Sequence, residues 1–361
     1  MTAKLGEILI RRGACSPEAV AEALRNQVIF GGRLGTNLLE LGAVREGDLA
    51  RALGERHGLP TLHGELKLDA AAVALLKPAL ADRYGVVPYL LQDRKLALLV
   101  GDPNDLPMLD EVAFVTGRHV HPIVVPEARL WALLRGTYGL DRQLRGLERP
   151  APAPTPLPDR PYDIVAEVTA ILRAGPGHVA PDHFVPLTVP PPAAAPAPTP
   201  LSFQEALSRL AGVDDRHAIA GTVLRYARTK FKRTVLLTVQ RGEARGWAGL
   251  GEQVDPQAVS RMRLKLDAPG VVSMVVGARA HFLGPLPRTD ANVRLLKLLG
   301  GGVPSSCFLV PILALGRVVN VIYADNGRGG RVDSGDLGEL LILATKIAQS
   351  YDALLARATQ S

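Results

Sequence analysis

The chain of 361 residues has few aromatic side chains, 4% of the total, and only two cysteines, Cys15 and Cys307. Two cysteines so far apart exclude a disulfide framework and a cysteine metal cluster, and they predict free thiols in a reducing compartment. The charged N-terminus contains no apolar signal-peptide core, and no run of about 18 apolar residues occurs anywhere. The sequence therefore predicts neither a signal peptide nor a membrane span.

Sequence motifs for catalysis are also missing. No Gly-x4-Gly-Lys-Ser/Thr phosphate loop occurs, and the glycine-rich stretches at Gly300 and Gly327 are predicted to be turns. The Gly-x-Ser-x-Gly motif is absent as well. The eight histidines are scattered, and His119 with His121 would offer a metal only two ligands. We therefore predict no enzymatic activity, no metal and no cofactor.

The net charge of +7 favours anionic partners, namely nucleotides, nucleic acid or a membrane surface. The alternative is that arginine is simply the default cation of an alanine-rich composition. Because the basic residues are spread along the chain and are not interleaved with aromatic residues, we predict no nucleic-acid partner.

The prolines are concentrated in two Ala/Pro tracts that begin at Pro150 and Pro190. Such tracts favour extended polyproline II conformation, so residues 142–200 are predicted to be a linker between domains at 1–141 and 201–361. Residues 164–172 could form one or two helical turns, either as a docking peptide or, as we expect, within a passive spacer. Short helices over 1–56 and a β-β-α-β-α pattern over 69–141 precede the linker. A sheet with helices on one face is predicted after it, which makes the fold class α+β.

The most informative feature is a repeat in the first 56 residues. Lys4 to Gly13 reads KLGEILIRRG, and Arg33 to Gly42 reads RLGTNLLELG. Each copy is 24 residues long, and five residues separate the copies. Compact packing of two helical hairpins accounts for the apolar positions, but it does not require a cation before each Leu-Gly pair. Two equivalent half-sites for a ligand with two similar halves would use that cation on a phosphate or a guanine edge, and the glycine would let the ligand approach the backbone.

The two motif copies with their five-residue spacer resemble the MshE N-terminal domain. Three later features are typical of the same domain, namely Val87-Pro88, the Gly-Asp-Pro at 101–103 and the stretch 117–125. That domain precedes the ATPase core of type II secretion and type IV pilus extension ATPases and binds cyclic di-GMP. The resemblance covers residues 1–141 and implies a cyclic di-GMP site formed by Lys4, Leu5, Gly6, Leu9, Gly13, Gln27, Arg33, Leu34, Gly35, Leu38, Gly42 and Arg56. Two positions depart from the family pattern: Lys4 replaces an arginine, and Arg56 replaces a glutamine.

The C-terminal residues Val318 to Asn326, VVNVIYADN, followed by the helical stretch 333–355, resemble a GAF domain. Such domains bind small ligands or dimerise, so a homodimer through this domain is an open possibility. Cys307 is predicted to be a small buried apolar residue rather than a chromophore thiol.

These observations favour a non-enzymatic cyclic di-GMP receptor with a protein partner in a secretion or pilus machine and no ATPase core. The expected location is the cytoplasm, with peripheral attachment to the inner membrane through partners as an open alternative. The alternative function is an interaction scaffold of the same fold that no longer binds nucleotide.

Overall fold

The structure is a computed structural model that describes residues 3–140, 164–175, 177–179 and 199–360. The chain divides into two compact units, residues 1–27 with 32–193 and residues 28–31 with 194–361. In these described ranges no helix is both long enough and apolar enough to cross a membrane. The two Ala/Pro tracts lie outside the described residues, apart from Thr199 and Pro200.

The first unit begins with the four predicted short helices, α1 (Leu5–Arg11), α2 (Pro17–Phe30), α3 (Leu34–Glu40) and α4 (Glu46–His57). The Ser16 hydroxyl accepts the Ala19 N–H at 3.2 Å and begins α2. Gly13 and Gly42 follow α1 and α3 with φ of 65° and 68°, a conformation that favours glycine and ends each helix. The apolar stripes of the helices meet in one core of Leu5, Ile8, Leu9, Val20, Ala23, Leu38, Val44, Leu49 and Ala52.

The second part of this unit is the predicted β-β-α-β-α arrangement. Its elements are α5 (Ala70–Val73), α6 (Pro78–Tyr84), β1 (Val87–Gln92), β2 (Lys95–Val100), α7 (Leu106–Thr116), β3 (His119–Val124) and α8 (Glu127–Tyr138). The sheet order is β1-β2-β3, with an antiparallel hairpin followed by a parallel β2–β3 pair. Asp93 turns the hairpin at φ 54°, which its short polar side chain tolerates. The sequence patterns do not predict α5 and α6, which are very short.

A further helix, α9 (Ile164–Ala174), lies inside the predicted linker. Its Val168 and Leu172, one turn apart, are fully buried in the core around the three-stranded sheet. The Lys95 ammonium donates to the Leu172 carbonyl at 2.6 Å and the Gly175 carbonyl at 2.7 Å, which satisfies the C-terminal end of the helix. This stretch therefore folds as part of the first unit and is not a passive spacer, because its apolar face packs against the three-stranded sheet. The domain boundaries at 141 and 201 stay predictions.

The second unit is a six-stranded antiparallel sheet with helices, in the order β6-β5-β4-β9-β8-β7. Its elements are α10 (Phe203–Ala211), α11 (Arg216–Ala227), β4 (Arg233–Gln240), β5 (Glu243–Gly251), α12 (Pro256–Ser260), β6 (Arg263–Lys265), α13 (Val271–Ala278), β7 (Phe282–Gly284), α14 (Asp290–Leu298), β8 (Cys307–Ala314), β9 (Arg317–Asp325) and α15 (Leu337–Gln360). Leu315 and Gly316 lie between two apolar runs, a pattern that predicts a hairpin, and they form the β8–β9 turn. The predicted α+β class is confirmed.

The prediction of helices on one face of this sheet is wrong. Helices α10, α11 and α15 cover one face, where they pack on Phe308 and Val310. Helices α12, α13 and α14 cover the other face, where they pack on Leu309 and Val321. The physical reason is visible in β8 and β9, which are apolar on both sides and therefore need a cover on each face.

Residues 271–276 form helix α13, although the valine-rich sequence predicts a strand. The Gly270 N–H is bonded to the Ser273 hydroxyl at 3.0 Å, and the Val271 N–H is bonded to the Asn292 amide oxygen at 3.0 Å, which caps the helix start. Val271, Val272 and Val275 are buried against the sheet at helical spacing. Burial on this face outweighs the β-propensity of valine, which is weak compared with tertiary context.

Candidate ligand site of the duplicated motif

The two motif copies pack in the same way at their Leu-Gly positions. A side-chain carbon added at Gly6 would lie 2.9 Å from Val20 Cγ1, and one added at Gly35 would lie 2.9 Å from Leu49 Cδ1. Both pairs are spaced alike in the sequence, so each glycine lets the two helices of its copy approach closely. Gly6 and Gly35 are buried, and this helix contact is the role that the structure gives them.

Replacing Gly6 by alanine is expected to destabilise the chain more than replacing Gly35. Each new methyl group overpacks its helix pair, which typically costs about 1–3 kcal/mol and outweighs the helix propensity gained. Val20 is β-branched with one strongly preferred rotamer in a helix, whereas Leu49 has a more flexible side chain. Urea unfolding of the full chain measures both effects, with Gly136→Ala as the control because nothing lies within 4 Å of that position. A stability equal to wild type in both variants would contradict the packing role.

The remaining predicted site residues separate into buried and accessible groups. Leu5, Leu9 and Leu38 are core residues, and Leu34 is partly buried against the same core. Gly13, Gly42, Lys4, Arg33 and Arg56 are exposed, and Gln27 is half-buried. The accessible side chains that can address a ligand are therefore the cations and Gln27.

The starts of the two copies lie side by side. A side-chain carbon on Gly6 would be 3.6 Å from Leu34 Cδ2, so the first turn of α1 touches the first turn of α3. On the other side α1 meets α4, where the Arg12 guanidinium and the Glu55 carboxylate form an ion pair at 2.6 Å. The structure thus brings the two Leu-Gly starts together in one small module.

The Arg33 guanidinium is held by groups outside the repeat. It donates to the Gly101 carbonyl and lies 3.7 Å from Asp102 Oδ2 and 3.8 Å from Glu127 Oε1. Glu127 also accepts the Thr36 hydroxyl at 2.6 Å, which orients its carboxylate. Half of the Arg33 side chain remains exposed, so one side of the guanidinium faces solvent.

His57 lies where these charged groups converge. Burial lowers its pKa below the usual value, the positive charges of Arg56 and Arg33 lower the pKa further, and Asp102 opposes them. The start and the end of the second copy are therefore close to the Gly101-Asp102 loop. Sequence analysis missed Asp102 and His57 as site residues, although His57 directly follows the second copy and Asp102 lies in the Gly-Asp-Pro stretch. Glu127 carries no signal in the sequence.

Residues 57–144 match the family profile described as the MshEN domain. This part of the first unit is therefore similar to an MshEN domain. The matched residues begin directly after the second motif copy and contain the three-stranded sheet. The type IV pilus assembly ATPase PilB of Thermus thermophilus is 38% identical over 173 residues, which is 38% of this chain and 20% of that relative. The chain spans about a fifth of the length of the curated relatives it matches.

Two solved structures are each similar to a part of the chain. A structure of MshE with cdg is 26% identical and covers 38% of this chain and 99% of its own, with a TM-score of 0.32. The GAF domain from an Acinetobacter phosphoenolpyruvate-protein phosphotransferase is 14% identical and covers 43% of this chain and 92% of its own, with a TM-score of 0.35. The MshEN resemblance drawn from the sequence recurs in the family match over residues 57–144.

Proposed function

We propose that the first unit binds one cyclic di-GMP molecule through its two motif copies, which directly precede the residues that match the MshEN profile. The observation that carries this proposal is the contact of the two Leu-Gly starts, Gly6 with Leu34, which sets Lys4 and Arg33 at equivalent helix starts of one module. Cyclic di-GMP has two chemically equal halves, each with a phosphate and a guanine. A cation at each start can bond one half.

We further propose that the chain is a non-enzymatic receptor that serves a secretion or type IV pilus machine. The similarity to a pilus assembly ATPase supports this context, although the shared part is a fifth of that relative. The absence of a phosphate-loop motif from these 361 residues supports a regulatory role over an ATP-hydrolysing one.

Calorimetric titration of the full chain with cyclic di-GMP tests the receptor proposal. We expect saturable binding of one ligand molecule per chain and a higher melting temperature in its presence. No heat and no thermal shift at high micromolar ligand would refute the receptor and leave the scaffold alternative.

One observation favours the scaffold. The Arg33 guanidinium is already surrounded by the Gly101 carbonyl and the carboxylates of Asp102 and Glu127. These contacts connect the start of α3 to the end of β2 and to α8, and this structural role explains the arginine without any ligand. Under the scaffold alternative, Arg33→Ala lowers the melting temperature of the ligand-free chain. Under the receptor proposal its main effect is on binding.

Cyclic di-GMP binding is expected to be linked to proton uptake by His57. In the free chain its pKa is lowered, so the imidazole is largely neutral near pH 7. A phosphate beside Arg33 and Arg56 stabilises the protonated form and raises the pKa, so affinity should rise as pH falls from about 7.5 towards about 6. Calorimetry in buffers of different ionisation enthalpy measures the uptake, and His57→Gln should abolish it. Binding heats that do not depend on the buffer would place the phosphates away from His57.

A further inference from the structure

The second unit contains an open recess of about 630 Å³ at one end of its sheet. One wall is the segment 228–232, which joins α11 to β4, and the other is the segment 326–331, which follows β9. Glu252, just after β5, completes the lining. The recess is lined by Arg228, Thr229, Lys230, Phe231, Lys232, Glu252, Asn326, Arg328, Gly329, Gly330 and Arg331. All of these residues belong to the second unit, whereas both motif copies belong to the first.

Among the described residues that line the recess, five side chains are cationic and one is a carboxylate. Lys230 pairs with Asp336 at 3.3 Å, and Lys232 lies 3.7 Å from the Glu252 carboxylate. Arg328 and Arg331 are exposed and form no ion pair with any carboxylate that the structure describes. Lys230 also lies 3.5 Å from the Glu339 carboxylate, so both lysines are paired. The two arginines with unused donors therefore supply the unpaired positive charge of this concave surface.

The two walls are fixed to each other by Asn326. Its amide oxygen accepts the Lys232 N–H at 3.0 Å, and its amide nitrogen donates to the Arg331 carbonyl at 2.9 Å. The turn between them is tight, since a side-chain carbon on Gly330 would lie 2.2 Å from the Asn326 carbonyl oxygen. The recess is thus preformed, and a ligand need not order these walls when it binds.

The Arg228 guanidinium supports the same wall from within the fold. It donates to the Phe231 carbonyl at 3.1 Å and also bonds the Lys232 carbonyl. Phe231 is buried and forms part of the floor. Arg228 is therefore a fixed charge of the recess, whereas Arg328 and Arg331 supply the adjustable donors.

We propose that this recess binds a compact soluble anion that carries two or more phosphate groups. Arginine bonds phosphate oxygens through two parallel N–H groups, and two arginines together with the lysines match more than one phosphate. The concave shape fits a small anion between two loops better than it fits the flat surface of a bilayer. The recess belongs to the second unit, and the residues of the proposed cyclic di-GMP site belong to the first.

Calorimetric titration of the full chain with inorganic pyrophosphate at fixed ionic strength tests the proposal. The double variant Arg328→Ala with Arg331→Ala should weaken binding about tenfold or more, because it removes charge-assisted hydrogen bonds. The control is Arg288→Ala with Arg294→Ala, which removes the same charge from exposed positions of this unit outside the recess. It should leave pyrophosphate affinity unchanged. The melting temperature without ligand checks that both double variants are folded.

The single variant Glu252→Gln provides a gain-of-binding test. It removes the one carboxylate among the described lining residues, so pyrophosphate should bind about twofold tighter or more. Equal weakening by both double variants would show diffuse attraction to net charge and overturn the site. Absence of pyrophosphate binding, or binding only to phosphatidylglycerol vesicles in sedimentation, would overturn it as well.

Discussion

Replacing Asp325 by alanine is expected to destabilise the second unit by about 3–5 kcal/mol, the usual effect of removing one partner of a buried ion pair. Arg233 and Asp325 are almost fully buried, with 2% and 0% of their side chains exposed. They form a two-point pair, Nε to Oδ1 at 2.7 Å and Nη2 to Oδ2 at 2.8 Å. Without the carboxylate the guanidinium keeps its charge but loses its partner.

The same pair fixes two neighbouring segments. Arg233 also donates to the Leu299 carbonyl at 3.0 Å and the Gly301 carbonyl at 2.6 Å. Asp325 accepts the Gly327 N–H at 2.7 Å and the Tyr323 hydroxyl, and burial raises the pKa of Tyr323 well above its usual value, so that this hydroxyl stays a donor. The substitution is therefore expected to loosen the turn after α14 and the start of the segment 326–331, which forms one wall of the recess.

Urea unfolding followed by fluorescence measures this loss. The chain has two tryptophans, and Trp131→Phe leaves Trp247 on β5 as a reporter of the second unit. In that background Asp325→Asn should cost less than Asp325→Ala, because the amide keeps the shape and some hydrogen bonds. The exposed Asp352→Ala serves as the control. A loss below about 1 kcal/mol for Asp325→Ala, the range of an exposed pair, would mean that the network adds no stability.

Replacing Arg33 by alanine is expected to weaken cyclic di-GMP binding by about 1.5–3 kcal/mol, the range for a hydrogen bond to a charged group. Its planar guanidinium can bond a phosphate or a guanine edge at two points, and the Gly101 carbonyl and Glu127 hold it in place before the ligand arrives. Lys4 is a point charge, so Lys4→Ala should cost less and Lys4→Arg should tighten binding.

Calorimetry on the three variants, with the exposed Arg25→Ala on α2 as the charge control, ranks the two half-sites. A larger loss for Lys4→Ala than for Arg33→Ala would reverse the order of the half-sites. Equal small losses in all of the alanine variants would favour general electrostatic attraction over a specific site.

Local patterns in the sequence predicted most of the helices and strands. Apolar spacing with Gly13 and Gly42 predicted the short helices, and the turn residues at Asp93 and Gly316 predicted both hairpins. Where the sequence prediction failed, a partner distant in sequence decided the structure. Helix α9 belongs to the first unit because Val168 and Leu172 pack against the three-stranded sheet of that unit. Residues 271–276 form a helix because one side of this segment is buried against the six-stranded sheet.

The candidate site also combines features that the sequence indicates with features that only the folded chain shows. The repeat by itself indicated which positions are equivalent, because the same residue types at the same spacing favour the same local structure, and so it singled out Lys4 and Arg33. Only the tertiary structure decided that Gly6 and Gly35 face helices, and that Arg33 meets the Gly101 carbonyl and Glu127. A sequence records spacing along one chain. The distance between side chains far apart in that sequence depends on how the elements pack, so the charges around Arg33 and His57 appear only in the folded chain.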